Sequence, residues 1–372
     1  MVITTHTFSS DLLLWAFSLL TFALLLITLL DYFFLAHGKI PIFWRFSPAP
    51  SWKFKPQNYK WAGRMIIITG GNAGIGKETA LQCAKTGAEI VIACRNLKTG
   101  NKVATEIKEE TGNPLVYAKH LDLNSFKSVR TFVADIIKKL LTSSDSSGTH
   151  LYALVNNAGV MLLPKEILTE DNLEMTLQTN YFSPFLLTSL LLPSLKSGSK
   201  ALGCPSRVVN VSSRAHVIGP TRLPLDPAYL KKDQFGIIQK FCPPFRQHFV
   251  YGDSKLCLVS FTRELARRSD PDRLLAFSLH PGTVDTDLFI HVPLPIRFIV
   301  SKFFSVSTKE GAMTTLYCLF DKSQANADNN GAYFSECGLA KASAKALKHE
   351  DSDALWDLSQ KVCGLTDGRR KD

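Results

Sequence analysis

The chain has 372 residues and a formal net charge of +11, enough for one large α/β domain or two small ones. Its Lys and Arg residues are spread along the chain without an aromatic and basic module, which argues against nucleic-acid binding; attraction to anionic lipid headgroups and an evenly solvated basic surface both stay open. Its eight cysteines show no metal-ligand spacing, so we expect reduced packing residues in a cytosolic domain and no metal site.

The first segment predicts a membrane anchor. Residues 12–30 are nineteen uncharged, mostly apolar positions, which at about 1.5 Å rise per residue cross most of a bilayer's hydrocarbon core. A cleaved signal peptide is the alternative, but no Lys or Arg precedes the run and no small-residue cleavage pattern follows it. Because positive charge comes only after the run, the positive-inside rule places the rest of the chain in the cytosol. We therefore assign residues 1–37 to the anchor.

The next segments predict a linker and then an α/β domain. Residues 38–62 are rich in proline, aromatic and basic residues and read as an irregular linker beside the membrane. From residue 63, short apolar runs alternate with helical patterns. The runs are 64–69, 89–94, 115–120, 151–156, 207–212 and 273–280. Continuous apolar strands with helices between them predict a doubly wound parallel sheet, the Rossmann architecture. We expect residues 341–372 to form a C-terminal helical extension.

A glycine-rich turn follows the first predicted strand and opens a helix. In TGGNAGIG, residues 69–76, the glycines Gly70, Gly74 and Gly76 permit a tight turn, and the helix N-terminus offers N–H groups to a pyrophosphate. A Walker A loop is a second interpretation, because residues 71–77 read G-x-x-x-x-G-K. Against it, Glu78 stands where a Ser or Thr would hold magnesium. A purely structural glycine turn is the third.

Three further loops carry candidate ligand-binding residues. Arg95 ends the second strand where an NAD site would have an acid, so the sequence favours NADP; a solvated loop arginine is the alternative. After the fourth strand, NNAG at residues 156–159 has the small and amide residues that bracket a flat cofactor. Ser212 and Ser213 end the fifth strand, where a hydroxyl could bind a substrate carbonyl oxygen, although paired serines are often only loop polarity.

Tyr251 and Lys255 lie four residues apart in a predicted helix, so they share one face. A free tyrosine has a pKa of about 10. An adjacent ammonium favours the phenolate and lowers that pKa, so the pair could act as a proton donor. The spacing alone is also common on solvated helices.

The order of these motifs along the chain resembles the short-chain dehydrogenase/reductase family over residues 62–335. The resemblance includes HPG at residues 280–282 and Asn180 in addition to the motifs above. IACRN, NNAGVM, VNVSSRAH, HPGTVDTDL and GAYFSECG look like the retinol dehydrogenase branch of that family, whose members are commonly membrane-anchored and prefer NADP. The resemblance sets the enzyme domain at residues 63–340.

The resemblance also implies roles. Tyr251 would be the general acid or base, Lys255 would lower its pKa and hold the nicotinamide ribose, Ser213 would orient the carbonyl, and Asn180 would support a water-linked proton relay. Asp122 and Leu123 would bound the adenine pocket. The full set of expected cofactor-binding residues is Gly70, Asn72, Gly74, Ile75, Gly76, Arg95, Asp122, Leu123, Asn157, Ala158, Gly159, Tyr251, Lys255, Pro281, Gly282, Thr283 and Thr286.

The sequence departs from the family after Asn180, where it reads NYFSPF. Pro184 lacks the N–H that would donate to the Asn180 carbonyl, so we expect the helix to kink or open there. Farther on, the apolar residues among 289–304 read either as a lipid-facing lip or as an ordinary buried helix.

The sequence thus predicts a membrane-anchored, NADP-dependent oxidoreductase facing the cytosol, on the endoplasmic reticulum. Its substrates would be a lipophilic alcohol and the corresponding aldehyde or ketone. Retinal-like compounds are the leading candidates, and sterol, polyprenoid and lipid-derived carbonyls are the alternatives. A catalytically silent, membrane-tethered nucleotide-binding scaffold is the rival from another class. The intact set of Asn180, Ser213, Tyr251 and Lys255 argues against that rival. The oligomeric state, including a homo-oligomer, is left open.

Overall fold

A computed structural model describes residues 52–143, 148–163, 167–217, 243–282, 284, 306–323 and 325–365. These residues belong to one unit that runs from Trp52 onward. The predicted anchor at residues 12–30 lies outside the described residues. Among those that are described, no helix combines the length and apolar character needed to span a bilayer.

An eight-stranded sheet in the order β3-β2-β1-β4-β5-β6-β7-β8 forms the centre of the described chain. Neighbouring strands from β3 to β7 are parallel, and β8 pairs antiparallel with β7. The strands are β1 Arg64–Thr69, β2 Glu89–Cys94, β3 Val116–His120, β4 His150–Asn156, β5 Ser206–Val211, β6 Leu274–His280, β7 Tyr333–Ser335 and β8 Gly338–Ala340. The six predicted strands are confirmed within one residue at each end. Five of them are apolar runs buried on both faces, while β3, at the edge of the sheet, is only partly buried.

Helices cover both faces of this sheet. They are α1 Gly74–Ala84, α2 Leu97–Thr111, α3 Phe126–Ser143, α4 Ser183–Leu202, α5 Pro243–Arg267, α6 Thr308–Phe320 and α7 His349–Val362. Alternate β1 residues point to opposite faces: Met65 and Ile67 pack toward α3, α4 and α5, while Ile66 and Ile68 pack toward α1, α2 and α6. This arrangement confirms the doubly wound architecture.

The helix predicted near 172–195 is interrupted before α4. A short α-helical turn at Met175–Leu177 passes into a π-helical turn at Gln178–Phe182, which leads directly into α4. In that turn the Ser183 N–H donates to the Gln178 carbonyl, five residues back. Pro184 stands at the start of α4 and has no N–H to continue an α-helical ladder into this turn. The expected opening thus takes the form of a local π-helical turn, through which the helix continues into α4.

Residues 52–62, predicted as part of an irregular linker, pack against the domain. Their aromatic rings lie against α6: the Trp61 ring stacks on Phe320 at 4.0 Å between centroids, and Trp52 meets Tyr317 edge-on at 5.2 Å. The Trp61 N–H donates to the Thr86 carbonyl at 2.8 Å. This stretch therefore belongs to the folded unit.

Elements beyond the sixth strand were not predicted in detail. β7, β8 and α6 add to the sheet and to one of its faces, and α7 packs across α4 and α5. Trp356 of α7 contacts Phe185 and Phe261, and the Tyr181 hydroxyl hydrogen-bonds to Ser359 at 2.7 Å. The C-terminal helical extension is thus part of the main core.

Candidate active site

The predicted site residues follow the strands at the carboxyl edge of the sheet, where an α/β sheet of this kind binds its ligands. In strand order across the sheet they are Asp122 and Leu123 after β3, Arg95 after β2, Gly70 to Gly76 after β1, Asn157 to Gly159 after β4, Ser213 after β5, and Pro281 and Gly282 after β6. Thr283 and Thr286 lie outside the described residues. One edge therefore gathers residues from six separate loops.

The glycine-rich turn is packed too closely for side chains. A Cβ on Gly70, which has φ of 65°, would lie 3.1 Å from the Ala158 Cα, and a Cβ on Gly76 would overlap the Gly70 carbonyl oxygen. Ala73, the residue that caps α1, makes no side-chain cap bond. The first N–H groups of α1 thus have no side-chain acceptor there and suit an anionic group such as a pyrophosphate.

The side chains beside this turn argue against the Walker A interpretation. Lys77 points toward α2, where its ammonium pairs with Glu106 at 2.6 Å. Glu78 accepts a hydrogen bond from Gln82 at 2.8 Å. Asn72, on the other side of the turn, donates to Thr99 at 3.3 Å. Ile75 is half-buried and faces Gly311 of α6.

Two loops are joined at the centre of the edge by Thr69 and Asn157. The Thr69 hydroxyl accepts the N–H groups of Asn157 and Ala158, both at 3.0 Å, and the Asn157 amide donates to the Thr69 carbonyl at 2.9 Å. The side chain of Asn157 therefore holds the β1 and β4 loops together. Asn156 has a scaffold role as well, since its amide donates to Asn210 at 2.8 Å.

On the β3 side, Asp122 and Leu123 support a turn. The Asp122 carboxylate accepts the Asn124 N–H at 2.9 Å, and the buried Leu123 receives a hydrogen bond on its carbonyl from Ser183 at 2.6 Å. Arg95 is exposed and stands directly before Asn96, whose side chain caps α2. Arg95 is thus a solvent-exposed residue next to the start of α2.

Tyr251 and Lys255 project from the same part of α5, as the four-residue spacing predicts, and both are buried. The Lys255 ammonium lies 5.6 Å from the centroid of the Tyr251 ring. It donates a hydrogen bond to the Val211 carbonyl, at the end of β5, at 2.9 Å. The Ser212 hydroxyl donates to the Lys255 carbonyl at 2.9 Å, so α5 and the end of β5 are bonded in both directions.

Asn180 is brought to this pair by the β4 loop. Its side chain makes two bonds to the Val160 backbone, accepting the N–H at 2.8 Å and donating to the carbonyl at 2.9 Å. It also donates to the Ser254 hydroxyl at 3.0 Å, which in turn donates to the Tyr251 carbonyl at 2.7 Å. A Cβ on Gly159 would lie 3.2 Å from Asn180 Oδ1 and 3.3 Å from Lys255 Nζ, so a larger residue there would push these side chains outward.

Ser213 completes the cluster. Its hydroxyl oxygen accepts the Ala215 N–H at 3.2 Å, and it hydrogen-bonds with the Tyr251 phenol. Because the hydroxyl oxygen already accepts a bond from the backbone, its proton is available to donate toward Tyr251 or a substrate oxygen. All four predicted catalytic residues therefore meet in one place.

Burial dominates the charge states of the central pair. It raises the pKa of Tyr251 to about 12, against the opposing effect of the Ser213 hydrogen bond. Burial also lowers the pKa of Lys255 to about 8. Burial thus works against the low Tyr251 pKa that the sequence predicts, and the Ser213 hydrogen bond offsets only part of its effect.

Three groups of the site were missed by sequence reasoning. They are the Val211 carbonyl that holds Lys255, the Ser254 hydroxyl that links Asn180 to Tyr251, and His216 beside Ser213. A backbone carbonyl leaves no sequence signal. Ser254 lies within the Tyr251 to Lys255 spacing, and His216 lies in VSSRAH, so position in these motifs could have flagged both. Within the described chain, no group of three His, Cys, Asp or Glu side chains could hold a metal ion.

Comparisons with known proteins identify the family. The sequence profile described as short chain dehydrogenase matches residues 64–228. Retinol dehydrogenase 11 of Homo sapiens is 36% identical over 305 residues, 82% of this chain and 86% of that protein. Retinol dehydrogenase 12 of Homo sapiens is 35% identical over 309 residues, 83% of this chain and 89% of that protein.

Solved structures show the same fold. An uncharacterized protein from Mycobacterium paratuberculosis superposes with a TM-score of 0.61 at 26% identity, covering 84% of this chain and 97% of that one. An NADPH-bound carbonyl reductase from chicken fatty liver gives a TM-score of 0.54 at 22% identity, covering 75% of this chain and 98% of that one. The chain belongs to the short-chain dehydrogenase/reductase family of nicotinamide-dependent oxidoreductases acting on CH–OH groups, in its retinol dehydrogenase-like branch.

Proposed function

We propose that this protein interconverts a lipophilic alcohol and its aldehyde or ketone with NADP, using Asn180, Ser213, Tyr251 and Lys255 as the catalytic set. The observation that carries the proposal is the pairing of two buried side chains of α5, Tyr251 and Lys255, with the ammonium 5.6 Å from the centre of the phenol ring and the Ser213 hydroxyl beside them. Two hydroxyls and a buried cation at one point suit a reaction in which a carbonyl oxygen gains negative charge and then a proton.

The cofactor, when bound, supplies the hydride. Tyr251 has a pKa of about 12, so it keeps its proton at neutral pH and can donate it to the substrate oxygen. Ser213 donates its own hydroxyl proton as a hydrogen bond to the same oxygen. Lys255, with a pKa of about 8, is mostly charged at pH 7 and stabilises the phenolate that remains. Asn180 fixes the β4 loop and, through Ser254, the turn of α5 that carries Tyr251.

A retinal-like compound leads among the substrates because the chain shares about 35% identity over most of its length with proteins named retinol dehydrogenase. A sterol, a polyprenoid or a lipid-derived carbonyl would undergo the same chemistry. The predicted lip at residues 289–304 lies outside the described residues. A panel of these four carbonyl classes, with NADPH oxidation followed at 340 nm as the readout, tests the proposal directly.

We also propose that residues 12–30 anchor the protein in the endoplasmic reticulum with the domain in the cytosol. The charge asymmetry around the apolar run supports this topology. Protease added to sealed microsomes should then digest the domain in the absence of detergent. If the domain is digested only after detergent is added, the domain faces the lumen and the proposed topology is wrong. If alkaline carbonate releases the protein from the membrane, residues 12–30 are not a membrane anchor.

Cofactor preference depends on Arg95 in this proposal. We expect NADPH to bind about tenfold more tightly than NADH, a difference of about 1.4 kcal/mol, because Arg95 pairs with the extra phosphate. Arg95→Ala should bring the ratio of the two dissociation constants close to one, measured by fluorescence of the bound cofactor. Arg263→Ala, which removes an exposed arginine from α5, serves as the control and should leave the ratio unchanged. An unchanged ratio in Arg95→Ala would exclude Arg95 as the determinant.

Proton transfer is tested by Tyr251→Phe. The substitution keeps the ring and removes the transferable proton, so kcat should fall by about 10³-fold or more. The NADPH dissociation constant should stay within about threefold of the wild-type value, since the ring still fills its space. Tyr59→Phe, in the N-terminal aromatic cluster, is the matched control and should keep full activity. Substantial turnover in Tyr251→Phe would show that another group is the acid.

The burial of Lys255 predicts a pH-dependent stability difference. In the folded chain the amine holds its proton less tightly, with a pKa of about 8 against 10.5 when free. The low pKa therefore lowers the free energy of unfolding by its full amount below pH 8. This destabilisation decreases as the pH rises to 10.5. Between pH 7 and pH 10.5, the free energy of unfolding of the wild type should rise by about 3 kcal/mol relative to Lys255→Met.

Denaturant unfolding of both proteins across this pH range measures the difference. Lys196→Met, at an exposed position of α4, is the control and should show no such change relative to the wild type. If the gap between the wild type and Lys255→Met is the same at both pH values, the buried amine is not destabilised by its surroundings.

A further inference from the structure

A buried histidine, His216, lies directly behind Ser213. It belongs to the short 3-10 helix Arg214–Val217 that follows β5, and it is 1% exposed. Its Nδ1 lies 2.7 Å from the Ser213 carbonyl oxygen. Its Nε2 accepts the backbone N–H of Ser343, from the chain that follows β8, at 3.0 Å.

These two contacts define the tautomer. Nε2 faces an N–H donor, so it carries no proton and acts as the acceptor. The proton of the neutral imidazole is then on Nδ1, which donates it to the Ser213 carbonyl. The same carbonyl also accepts the His216 backbone N–H at 3.1 Å. One residue thus supplies two hydrogen bonds to the backbone of Ser213.

Ser213 needs such support because it stands beyond the sheet. The last ladder bond on this strand runs from the Ser212 N–H to the Leu279 carbonyl at 2.8 Å. Ser213 comes after it, so its position depends on the turn that follows and not on neighbouring strands. A catalytic hydroxyl that is displaced by about 1 Å can lose about a hundredfold in rate.

His216 is closely packed. Its ring packs on Tyr333 of β7, with centroids 4.7 Å apart, and Tyr333 is buried. Arg214 of the same turn pairs with Glu336 at 3.1 Å, in the tight turn between β7 and β8. Glu336 and Cys337 have φ of 53° and 57°, as expected for the two central residues of a type I′ turn between antiparallel strands.

We propose that His216 is a positioning residue that fixes the backbone of Ser213 and so aims its hydroxyl at the substrate oxygen and at Tyr251. The proposal rests on the catalytic role of Ser213 in the proposed function. In this proposal the segment after β8 also contributes to the site, because the backbone N–H of Ser343 orients the imidazole. His216 does not itself touch the reacting atoms.

Three substitutions separate the two hydrogen bonds of the ring. His216→Phe keeps the packing on Tyr333 and removes both bonds. His216→Asn places an amide N–H near the position of Nδ1 and restores the bond to Ser213. His216→Gln places its amide farther out, near Nε2, and restores only the bond to Ser343.

We expect His216→Phe to lower kcat by about tenfold or more, while the KM for NADPH changes by less than about threefold. His216→Asn should recover kcat to within about threefold of the wild type, and His216→Gln should not. His349→Phe, which changes an exposed histidine at the start of α7, is the control and should be fully active. Equal recovery by Asn and Gln, or full activity in His216→Phe, would overturn the proposal.

A double-mutant cycle tests whether the effect passes through the Ser213 hydroxyl. In a Ser213→Ala background the carbonyl remains but there is no hydroxyl to aim, so adding His216→Phe should lower single-turnover rates by less than about twofold. A tenfold loss in that background would show a general structural role and overturn the proposal. Absence of turnover in the wild type with every carbonyl would instead refute the proposed function, so the two failures are distinct.

Discussion

The burial of a lysine amine at the end of β5 is the constraint around which the site is built. An ammonium without a partner in a protein interior is strongly unfavourable, so it must have a hydrogen-bond acceptor and tight packing. The Val211 carbonyl supplies the acceptor, and Gly159 leaves room beside the amine. The remaining penalty is visible as a lowered pKa of Lys255. This penalty makes the site less stable than an apolar core of equal volume would be.

The polar groups around Lys255 also join elements that are distant in sequence. Asn180 binds the β4 loop and Ser254, while Ser212 binds the backbone of Lys255. The bonds from Asn180 to Ser254 and from Ser212 to Lys255 are buried, so each carries more weight than a bond at the surface. As a result, α4, α5 and the ends of β4 and β5 cannot shift independently. A rigid arrangement of this kind is what proton transfer between fixed groups requires.

The C-terminal part of the chain extends this rigidity. β7 and β8 widen the sheet beyond β6, and their tight turn is tied to Arg214 next to Ser213. α7 packs its Trp356 against α4 and α5, the two helices that carry Pro184 and the Tyr251 to Lys255 pair. The last described elements therefore pack against the parts of the chain that carry the site, although they contribute no predicted catalytic residue themselves.

The sequence predicted six of the eight strands, and it named four candidate catalytic residues that the structure brings close together. It could do so because apolar runs report burial, glycine reports close backbone approach, and a four-residue spacing reports a shared helix face. It also placed an irregularity of the helix beside Pro184, since a missing N–H is a local property. It did not identify the packing of residues 52–62, the hairpin of β7 and β8, or the role of His216.

The sequence by itself determined the chemistry that is available: which hydroxyls, amine and amide the chain carries, and near which strand ends. Only the tertiary structure decided how those groups are charged and held. The Tyr251 pKa of about 12 and the Lys255 pKa of about 8 arise from desolvation by residues far away in the chain. The bond from Ser343 to His216 spans 127 positions. Local patterns do not encode such effects, because burial and long-range hydrogen bonds exist only after the whole chain has packed.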